Sequence, residues 1–350
     1  MDKKPTIVDV AERAGVSIKT VSRVINNERH VSADTRVKVR KAVTELGFEA
    51  NESARGMRSS QTQEKSWVIG QLYGDPGGLY TSDIQVGLLG RCRYFGYHLV
   101  IEELDYRSPD FERRTRALLR RLRLDGAVLT APLTDNEVLQ MVLEESGVPF
   151  VRITPLGENR HIPSVRIDEQ RAAYQLTQHL IALGHQRIGF LKGLFNHAGT
   201  HLRYAGFEQA MSEAGLAIDP GLVETGDFRY FTAIGCANRL LSRADPPTAV
   251  FASNDEMAAA VIKVAHERDF KLPEDLSVVG FDDIPTAEMV WPALTTVRQP
   301  VTHMGAAAGD LLFDRLSAAG AGQWPHPVPH LVLQHDIVLR GSTAPCRTMG

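Results

Sequence analysis

Polar side chains follow several apolar runs of this 350-residue chain, each at the point where a predicted strand ends. In open α/β folds, ligands bind at the carboxyl ends of the strands. Hydroxyl, amide and carboxylate groups in such positions hydrogen-bond a polar ligand reversibly. The candidates are Tyr73, Asp75, Thr154, Asn254, Asp282 and Asp283. The pattern therefore predicts a binding cleft lined by these side chains.

The sequence contains none of several common catalytic patterns. It has no G-x-x-x-x-G-K-[ST] phosphate loop and no G-x-S-x-G nucleophile turn, and its twelve histidines show no metal-ligand spacing. Asp282 and Asp283 are neighbours on a predicted strand, so their side chains are expected on opposite faces rather than in one acid–base pair. We predict a binding protein that is not an enzyme and that uses no cofactor or metal.

Short apolar runs that alternate with helical segments must position this cleft. Regular β-α-β alternation predicts parallel sheets covered by helices, and roughly 270 residues are too many for one small sheet. We therefore expect two similar α/β subdomains with the cleft between them. The predicted strands are 67–73, 97–103, 126–131, 148–153, 187–193, 248–253 and 277–283. The predicted helices include 110–122, 168–183 and 258–268.

The stretch VDVAERAGVSIKTVSRVINN, residues 8–27, predicts two short helices joined by a tight turn. Thr6 is placed to cap the first helix, and Gly15 supplies the positive φ that the turn requires. Ser17 is placed to cap the second helix, which is predicted over 18–26. The spacing indicates a compact helix-turn-helix unit at the start of the chain.

A third helix is predicted over 33–46, with Ser32 as its cap. The second helix leaves a polar face outside, which comprises Ile18, Lys19, Ser22 and Arg23. A helix of this size fits the DNA major groove, where Lys and Arg side chains read guanine edges. A plain three-helix bundle, or a domain that docks on another protein, remains an open alternative.

Charge is distributed unevenly along the chain. Residues 1–65 carry 13 Lys and Arg against 9 Asp and Glu, whereas the remainder carries 26 against 33. A basic N-terminal region favours contact with a polyanion, although a solvated helix face explains the same excess. No apolar run is long enough for a membrane span, no signal peptide is visible, and the three cysteines are widely spaced. We expect a cytoplasmic protein with free thiols and no membrane partner.

The segment TIVDVAERAGVSIKTVSRVINNERHVSADTRVKVRKAVTELGF resembles the DNA-binding headpiece of the LacI/GalR family of bacterial transcription regulators. The A-G-V-S turn, T-V-S-R-V and H-V-S-x-x-T-R carry this resemblance. It implies that Ile18, Lys19 and Arg23 read bases. It also implies that a second set of residues mainly holds phosphates and fixes the register, namely Ser17, Thr20, Ser22, Asn26 and His30. Thr6 and, further along, Asn51 are further predicted DNA contacts.

The polar segment NESARGMRSS, residues 51–60, reads as a linker. The resemblance implies instead a hinge that becomes helical on DNA and wedges an apolar side chain into the minor groove. Ala54 and Met57 match the groove-facing positions. The family usually has Leu where Met57 stands and Pro where Ala50 stands, so the passive-linker reading stays open.

The rest of the chain resembles the core of the same family, which is similar to periplasmic sugar-binding proteins. The matching signatures are LIALGHQRIGFLKG, RYAGF, FASNDEMAAA, VVGFDD and LTTVRQP. The resemblance implies that Arg203 grips effector hydroxyls or an anion, that Phe228 faces a sugar ring, and that Gln299 lies near the crossover between subdomains. Asn254 and Asp282 would hydrogen-bond across the cleft. Phe228 as a core residue and Asp282 as a helix cap remain alternatives.

Two departures from the family pattern concern the ligand. Thr154 stands where several members have an aspartate, and YGDPGGLYTS replaces a common Asn-Pro-Phe-Phe pattern, which removes one aromatic wall. Tyr73 and Tyr80 are the candidates to compensate for it. The C-terminal tail has no leucine heptad, which disfavours a coiled-coil tetramer. The effector's identity, the operator sequence and the regulated genes do not follow from these residues.

The resemblance predicts the following domains: a headpiece at 1–49, a hinge helix and linker at 50–65, a two-subdomain core at 66–342 and a tail at 343–350. The N-subdomain is placed at about 66–163 and 299–330, and the C-subdomain at about 164–298 and 331–342. We expect a homodimeric repressor of a carbohydrate-utilisation operon, bound to pseudo-palindromic double-stranded DNA and released by a sugar. The alternatives are a corepressor-dependent regulator that binds a purine-like or phosphorylated ligand, and a sugar-binding protein without a DNA role.

Overall fold

A computed structural model describes residues 5–25, 31–46, 65–74, 78–317 and 324–347. Six predicted site residues lie outside these ranges, namely Asn26, His30, Asn51, Ala54, Met57 and Asp75. The chain divides into two units, Met1–Lys65 and Ser66–Gly350, and each is described separately below. The predicted start of the core at residue 66 coincides with this division.

The first unit contains three helices, α1 (Ile7–Ala14), α2 (Ile18–Ile25) and α3 (Ala33–Leu46). The Asp9 carboxylate accepts hydrogen bonds from the Thr6 amide and hydroxyl, which fixes the start of α1. Gly15 ends α1 with φ 65°, the left-handed conformation predicted for the turn. The predicted caps are also present: Ser17 accepts from the Thr20 amide, and Ser32 accepts from the Thr35 amide.

A small apolar core holds these three helices together. Its fully or nearly fully buried members are Val10, Ala11, Val21, Val24, Val39 and Ala42. The i, i+3 and i+4 spacing of the apolar residues therefore points one face of each helix inward. The opposite face of α2 stays in solvent, with Ile18 49% exposed.

The second unit begins with a six-stranded sheet whose paired strands are all parallel. In order across the sheet, the strands are β11 (His330–Leu333), β5 (Ser164–Ile167), β4 (Phe150–Ile153), β3 (Gly126–Leu129), β1 (Val68–Tyr73) and β2 (His98–Glu103). Four helices accompany it, namely α4 (Gly78–Phe95), α5 (Phe111–Leu122), α6 (Glu137–Glu145) and α12 (Val301–Ser317). This sheet and its helices form the N-subdomain.

The C-subdomain contains a four-stranded parallel sheet, ordered β7 (Val223–Thr225), β6 (Ile188–Lys192), β8 (Ala249–Ala252) and β9 (Ser277–Val279). Its helices are α7 (Glu169–Ala182), α8 (Ala198–Glu213), α9 (Tyr230–Leu241), α10 (Asp255–Glu267) and the short α11 (Thr286–Met289). An antiparallel ladder of β10 (Thr296–Arg298) and β12 (Asp336–Val338) lies beside it. All seven predicted strands are present, and β5, β7, β10, β11 and β12 are additional.

The subdomain boundaries differ from the predicted ones at two strands. The prediction assigned 164–167 and 331–333 to the C-subdomain, but β5 and β11 pair in the N-subdomain sheet. The reason is backbone pairing, because Ser164 lies beside both Arg152 and His330 in register. The chain consequently crosses between the subdomains three times, after β5, after β10 and after β11.

Close packing of α4 against α12 fixes the N-subdomain helices. A Cβ atom on Gly87 would lie 1.9 Å from the Thr302 carbonyl oxygen, and one on Gly305 would lie 2.2 Å from the Ile84 oxygen. The missing side chains therefore allow backbone-to-backbone contact at the crossing.

Among the described residues, no helix is long and apolar enough to cross a membrane.

Candidate functional site

A cavity of about 370 Å³ lies at the strand ends between the two subdomains. The N-subdomain contributes the first turn of α4 and the loop after β3. The C-subdomain contributes Leu194, His197, Arg203, Asp227, Phe228, Arg229, Tyr230, Phe231, Asn254, Glu256, Asp282 and Ile284. The volume is at the lower end of the range of about 300–1,000 Å³ for small-molecule sites. Four of the predicted cleft residues, Arg203, Phe228, Asn254 and Asp282, line this cavity.

Arg203 is 3% exposed and is held within the protein on all sides. Its Nε donates to Glu169 Oε2 at 2.5 Å and its Nη2 to Glu169 Oε1 at 3.3 Å, while Nη1 donates to the Ser253 carbonyl. The guanidinium also stacks on Phe281, with Cζ 3.7 Å from the ring centroid. Its two-pronged donor set is thus taken up mainly by Glu169.

Asp282 is the second carboxylate near Arg203, with Oδ1 3.5 Å from Nη2. Burial raises the pKa of Asp282 to about 7, Arg203 acts in the opposite direction, and Glu169 raises it again. The Gln299 amide donates to Asp282 Oδ1 at 2.7 Å, which places Gln299 behind the cavity wall rather than in the lining. Near neutral pH, Asp282 is therefore able both to accept and, when protonated, to donate a hydrogen bond.

The titration of Asp282 gives a testable pH dependence of stability. Its folded pKa of about 7 exceeds the value of about 4 in an unfolded chain, so the folded state binds the proton more tightly. The contribution of Asp282 to stability is thus full below pH of about 4 and falls as pH rises to about 7. Asp282→Asn cannot ionise. Its free energy of unfolding, measured by urea denaturation, is expected to improve relative to the native chain between pH 5 and 8.

Asp283→Asn is the matched control. Burial raises the pKa of Asp283, but hydrogen bonds from Arg340 and Arg298 outweigh burial and hold it below the usual range. Its stabilising contribution is already complete at pH 5, so the loss in Asp283→Asn is expected to stay constant up to pH 8. A constant difference for Asp282→Asn as well would contradict the assignment.

Aromatic side chains form one wall of the cavity. The rings of His197 and Phe228 pack with centroids 4.7 Å apart, and Tyr230 and Phe231 follow on α9. Burial lowers the pKa of His197 to about 3, so this ring is neutral, and its Nδ1 accepts from the Gly199 amide. Phe228 packs against the core but also lines the cavity. This position favours the prediction that its ring packs against a face of the ligand.

The remaining predicted cleft residues have mixed placements. Asn254 caps α10 by accepting from the Met257 amide, and its side-chain amide donates to the Phe228 carbonyl. Thr154 lies behind Tyr80, its Oγ1 3.3 Å from the phenol oxygen, and Tyr80 lines the cavity where an aromatic wall was sought. Tyr73 ends β1 but is not in the lining.

Asp282 and Asp283 do not lie on a strand, because β9 ends at Val279. Their side chains do point to different places, but not because of strand alternation. Both residues have positive φ, 111° and 57°, and Asp283 forms ion pairs with Arg298 and Arg340. Thr154 and Phe228 also have positive φ. Such conformations cost non-glycine residues energy and cluster at ligand sites. Positive φ angles therefore recur in and beside the cavity lining.

Sequence reasoning missed Glu169, His197, Asp227 and Glu256. Glu169 looks like an ordinary acidic residue in the first turn of α7, and only its burial against Arg203, 34 positions away, reveals its importance. Thr130, another missed lining residue, has a buried hydroxyl without a hydrogen-bond partner in the described part of the chain. A partner from a bound ligand or water would satisfy it.

Comparisons with known proteins agree with this architecture. Residues 6–51 match the family described as "Bacterial regulatory proteins, lacI family", and residues 177–343 match "Periplasmic binding protein-like domain". The HTH-type transcriptional regulator DegA of Bacillus subtilis (strain 168) is 34% identical over 99% of this chain and 100% of its own length. The chain belongs to the LacI family. It is therefore a DNA-binding transcription regulator with a helix-turn-helix unit and a periplasmic-binding-protein-like core, and not an enzyme.

Other proteins similar to this chain include a catabolite control protein and two solved regulators whose names report different ligands. Catabolite control protein A of Priestia megaterium is 33% identical over 88% of this chain and 91% of its own. A complex of the regulator CelR with cellobiose has a TM-score of 0.72 at 31% identity, covering 97% of this chain and 99% of that one. The Lac repressor dimer bound to operator and the anti-inducer ONPF has a TM-score of 0.72 at 27% identity, covering 98% and 100%.

Within this LacI-family chain, several of the predicted DNA-contact residues lie on or beside α2. Ile18 and Lys19 are exposed on α2, and Ser22 and Arg23 are partly exposed. Ser17 and Thr20 are engaged with each other at the start of α2, with their hydroxyls 2.9 Å apart. His185, interpreted from sequence as structural, contacts Thr248, Ser277 and the Ala344 carbonyl.

Proposed function

We propose that this regulator is a cytoplasmic repressor of a carbohydrate-utilisation operon, and that an unphosphorylated sugar in the cavity releases it from DNA. The observation that carries the proposal is the lining of the cavity. Phe228 presents a ring for the apolar face of a sugar, while Asp282, Asp227 and Thr130 present polar groups for hydroxyls. The alternative of a purine-like corepressor rests on the same aromatic wall.

The charge of the lining supports a neutral sugar over a phosphorylated ligand. Four carboxyl groups, those of Glu169, Asp227, Glu256 and Asp282, lie in or directly behind the cavity wall, against the guanidinium groups of Arg203 and Arg229. Arg203 is already neutralised by Glu169. Arg203 would therefore not be available to pair with a phosphate group, and the nearby carboxyl groups would repel the phosphate.

We further propose a homodimer on a pseudo-palindromic operator. Strand β2 is an edge of its sheet and exposes Ile101, while the neighbouring α4 exposes Val86 and Tyr94. In the C-subdomain, Met289 and Trp291 are 80% and 81% exposed. Apolar side chains at an open sheet edge fit a second copy of the chain, and two-fold symmetry would place two α2 helices in successive major grooves.

The sugar effector acts only if it prefers one arrangement of the subdomains. Moving an equilibrium from 1:99 to 99:1 needs about 5.5 kcal/mol of such preference. The test uses the full chain: an operator is selected from random-sequence duplexes, and its release is measured against sugars, sugar phosphates and purines. Release by an unphosphorylated sugar supports the proposal. Tight DNA binding only with a purine present would establish the corepressor alternative, and no effect of any compound would contradict both.

Replacement of Arg23 tests the base-reading assignment. Arg23→Ala is expected to weaken operator binding by about 1–3 kcal/mol and to relax specificity at one base pair. Lys41→Ala, which removes an equal charge from an exposed position on α3, is the control for the general electrostatic contribution. Fluorescence anisotropy with the selected operator and its single-base variants measures both effects. Equal losses for the two variants on every duplex would show that Arg23 contacts phosphate only.

A further inference from the structure

His197 precedes α8 and lines the cavity beside Phe228. Its Nδ1 accepts a hydrogen bond of 3.1 Å from the amide of Gly199, the second residue of α8. A ring nitrogen that accepts carries no hydrogen. Burial, together with the charge of Arg203, holds the pKa of the ring at about 3, so it stays neutral near pH 7. The imidazole is therefore fixed in the tautomer whose hydrogen is on Nε2.

The Nε2–H group of His197 is a donor that cannot accept. Within the described part of the chain, the Gly199 amide is the one group that hydrogen-bonds this ring, and Nε2 is accessible rather than sealed inside the protein. Because the ring lines the cavity, a bound molecule is the partner that Nε2 can reach. The donor also keeps its direction, since Gly199 holds the opposite nitrogen.

Few other polar side chains of the lining have a fixed polarity toward a ligand. The amide of Asn254 is engaged at both ends, and the carboxylate of Asp227 accepts hydrogen bonds from a backbone amide and a hydroxyl. The hydroxyl of Thr130 can rotate to donate or to accept. His197 thus stands out as a donor whose direction is set by the protein before any ligand binds.

Building on the proposed sugar-binding function, we propose that His197 Nε2 donates a hydrogen bond to one hydroxyl oxygen of the sugar and is a specificity-determining residue of the site. The oxygen of a hydroxyl accepts this bond, while its own hydrogen remains available to an acceptor such as Asp282. The bond between the Gly199 amide and Nδ1 positions the ring and prevents the opposite tautomer. Recognition of this hydroxyl is therefore built into the start of α8.

Isothermal titration calorimetry with the full chain tests the contact. Glucose, galactose, mannose, xylose, cellobiose, maltose and hypoxanthine are compared first, and the tightest-binding sugar and its monodeoxy analogues are then titrated into the native chain and His197→Asn. Asparagine retains an acceptor for the Gly199 amide but lacks the donor at Nε2. His197→Asn is expected to bind the sugar about tenfold more weakly. One deoxy analogue is expected to bind it no more weakly than the parent sugar does, because the two changes remove the same hydrogen bond.

His197→Gln is the complementary variant, because glutamine places an N–H near the position of Nε2 but loses the acceptor at the helix start. It is expected to keep the affinity within about threefold and to lower the melting temperature by about 2–4 °C. His201→Asn is the matched control, since His201 is exposed on the same helix and is not in the lining. It is expected to leave the affinity unchanged.

Several outcomes would overturn the inference while the proposed function stands. Unchanged affinity in His197→Asn would show that His197 only caps α8, and equal losses in the Asn and Gln variants would show that ring packing matters instead. Additive losses for every deoxy analogue, or a ¹⁵N NMR spectrum with the hydrogen on Nδ1 of His197, would also contradict it. Binding of hypoxanthine alone, or of no probe, would overturn both this inference and the proposed sugar effector.

Discussion

Arg203→Ala is expected to lower the free energy of unfolding of the second unit by about 3–5 kcal/mol, because it strands buried charge. The Arg203 and Glu169 side chains are 4% and 0% exposed, and Asp282 shares the same guanidinium. Without Arg203, Glu169 has neither its ion pair nor access to water. Urea denaturation followed by circular dichroism measures the loss.

Two further variants make this expectation specific. Arg239→Ala removes an ion pair with Glu224 in which Arg239 is 59% exposed, so its cost is expected to be below about 1 kcal/mol. The double variant Arg203→Met, Glu169→Met removes both buried charges and is expected to recover much of the stability. If the single and double variants are equally unstable, packing around Arg203 matters more than its charge.

Gly87→Ala is expected to destabilise the N-subdomain by about 1–3 kcal/mol or more, because the new methyl group has no space at the helix crossing. Its Cβ would lie 1.9 Å from the Thr302 oxygen and 2.8 Å from the Ala306 amide nitrogen, and both are backbone atoms that cannot rotate away. Separation of α4 from α12 would also move the first turn of α4, which lines the cavity. Weaker binding of the effector should therefore accompany the lower melting temperature.

Gly90→Ala on the same helix provides the opposite expectation. A Cβ atom there would meet nothing within 4 Å, and alanine is favoured over glycine in a helix interior by about 0.5–1 kcal/mol. Differential scanning calorimetry should show the two substitutions moving the melting temperature in opposite directions. A melting temperature for Gly87→Ala equal to that of the native chain would contradict the close crossing.

The sequence was informative where local chemistry decides the structure. The turn after α1 requires Gly15, and Ser17 caps α2. Continuous apolar runs identify strands such as β6 and β8. Strands β7, β10 and β12 escaped prediction because each spans only three residues. Their pairing depends on neighbours far along the chain.

The site was less predictable than the fold because its electrostatics are long-range. Arg203 and Asp282 were predicted to bind the ligand, but the sequence did not indicate that Glu169 would accept hydrogen bonds from Arg203 or that Gln299 would donate one to Asp282. Glu256 has no signature at all, since an acidic residue in the first turn of a helix is ordinary. Only the folded geometry places it in the cavity lining.

The three passages of the chain between subdomains have a mechanical consequence. A single connection would let two rigid bodies swivel in any direction, whereas three connections at separate points, after β5, β10 and β11, oppose twisting about most axes. We expect the softest remaining motion to be one hinge-like rotation that opens or closes the space between the sheets. Effector binding in the cavity would then change mainly this one angle between the subdomains.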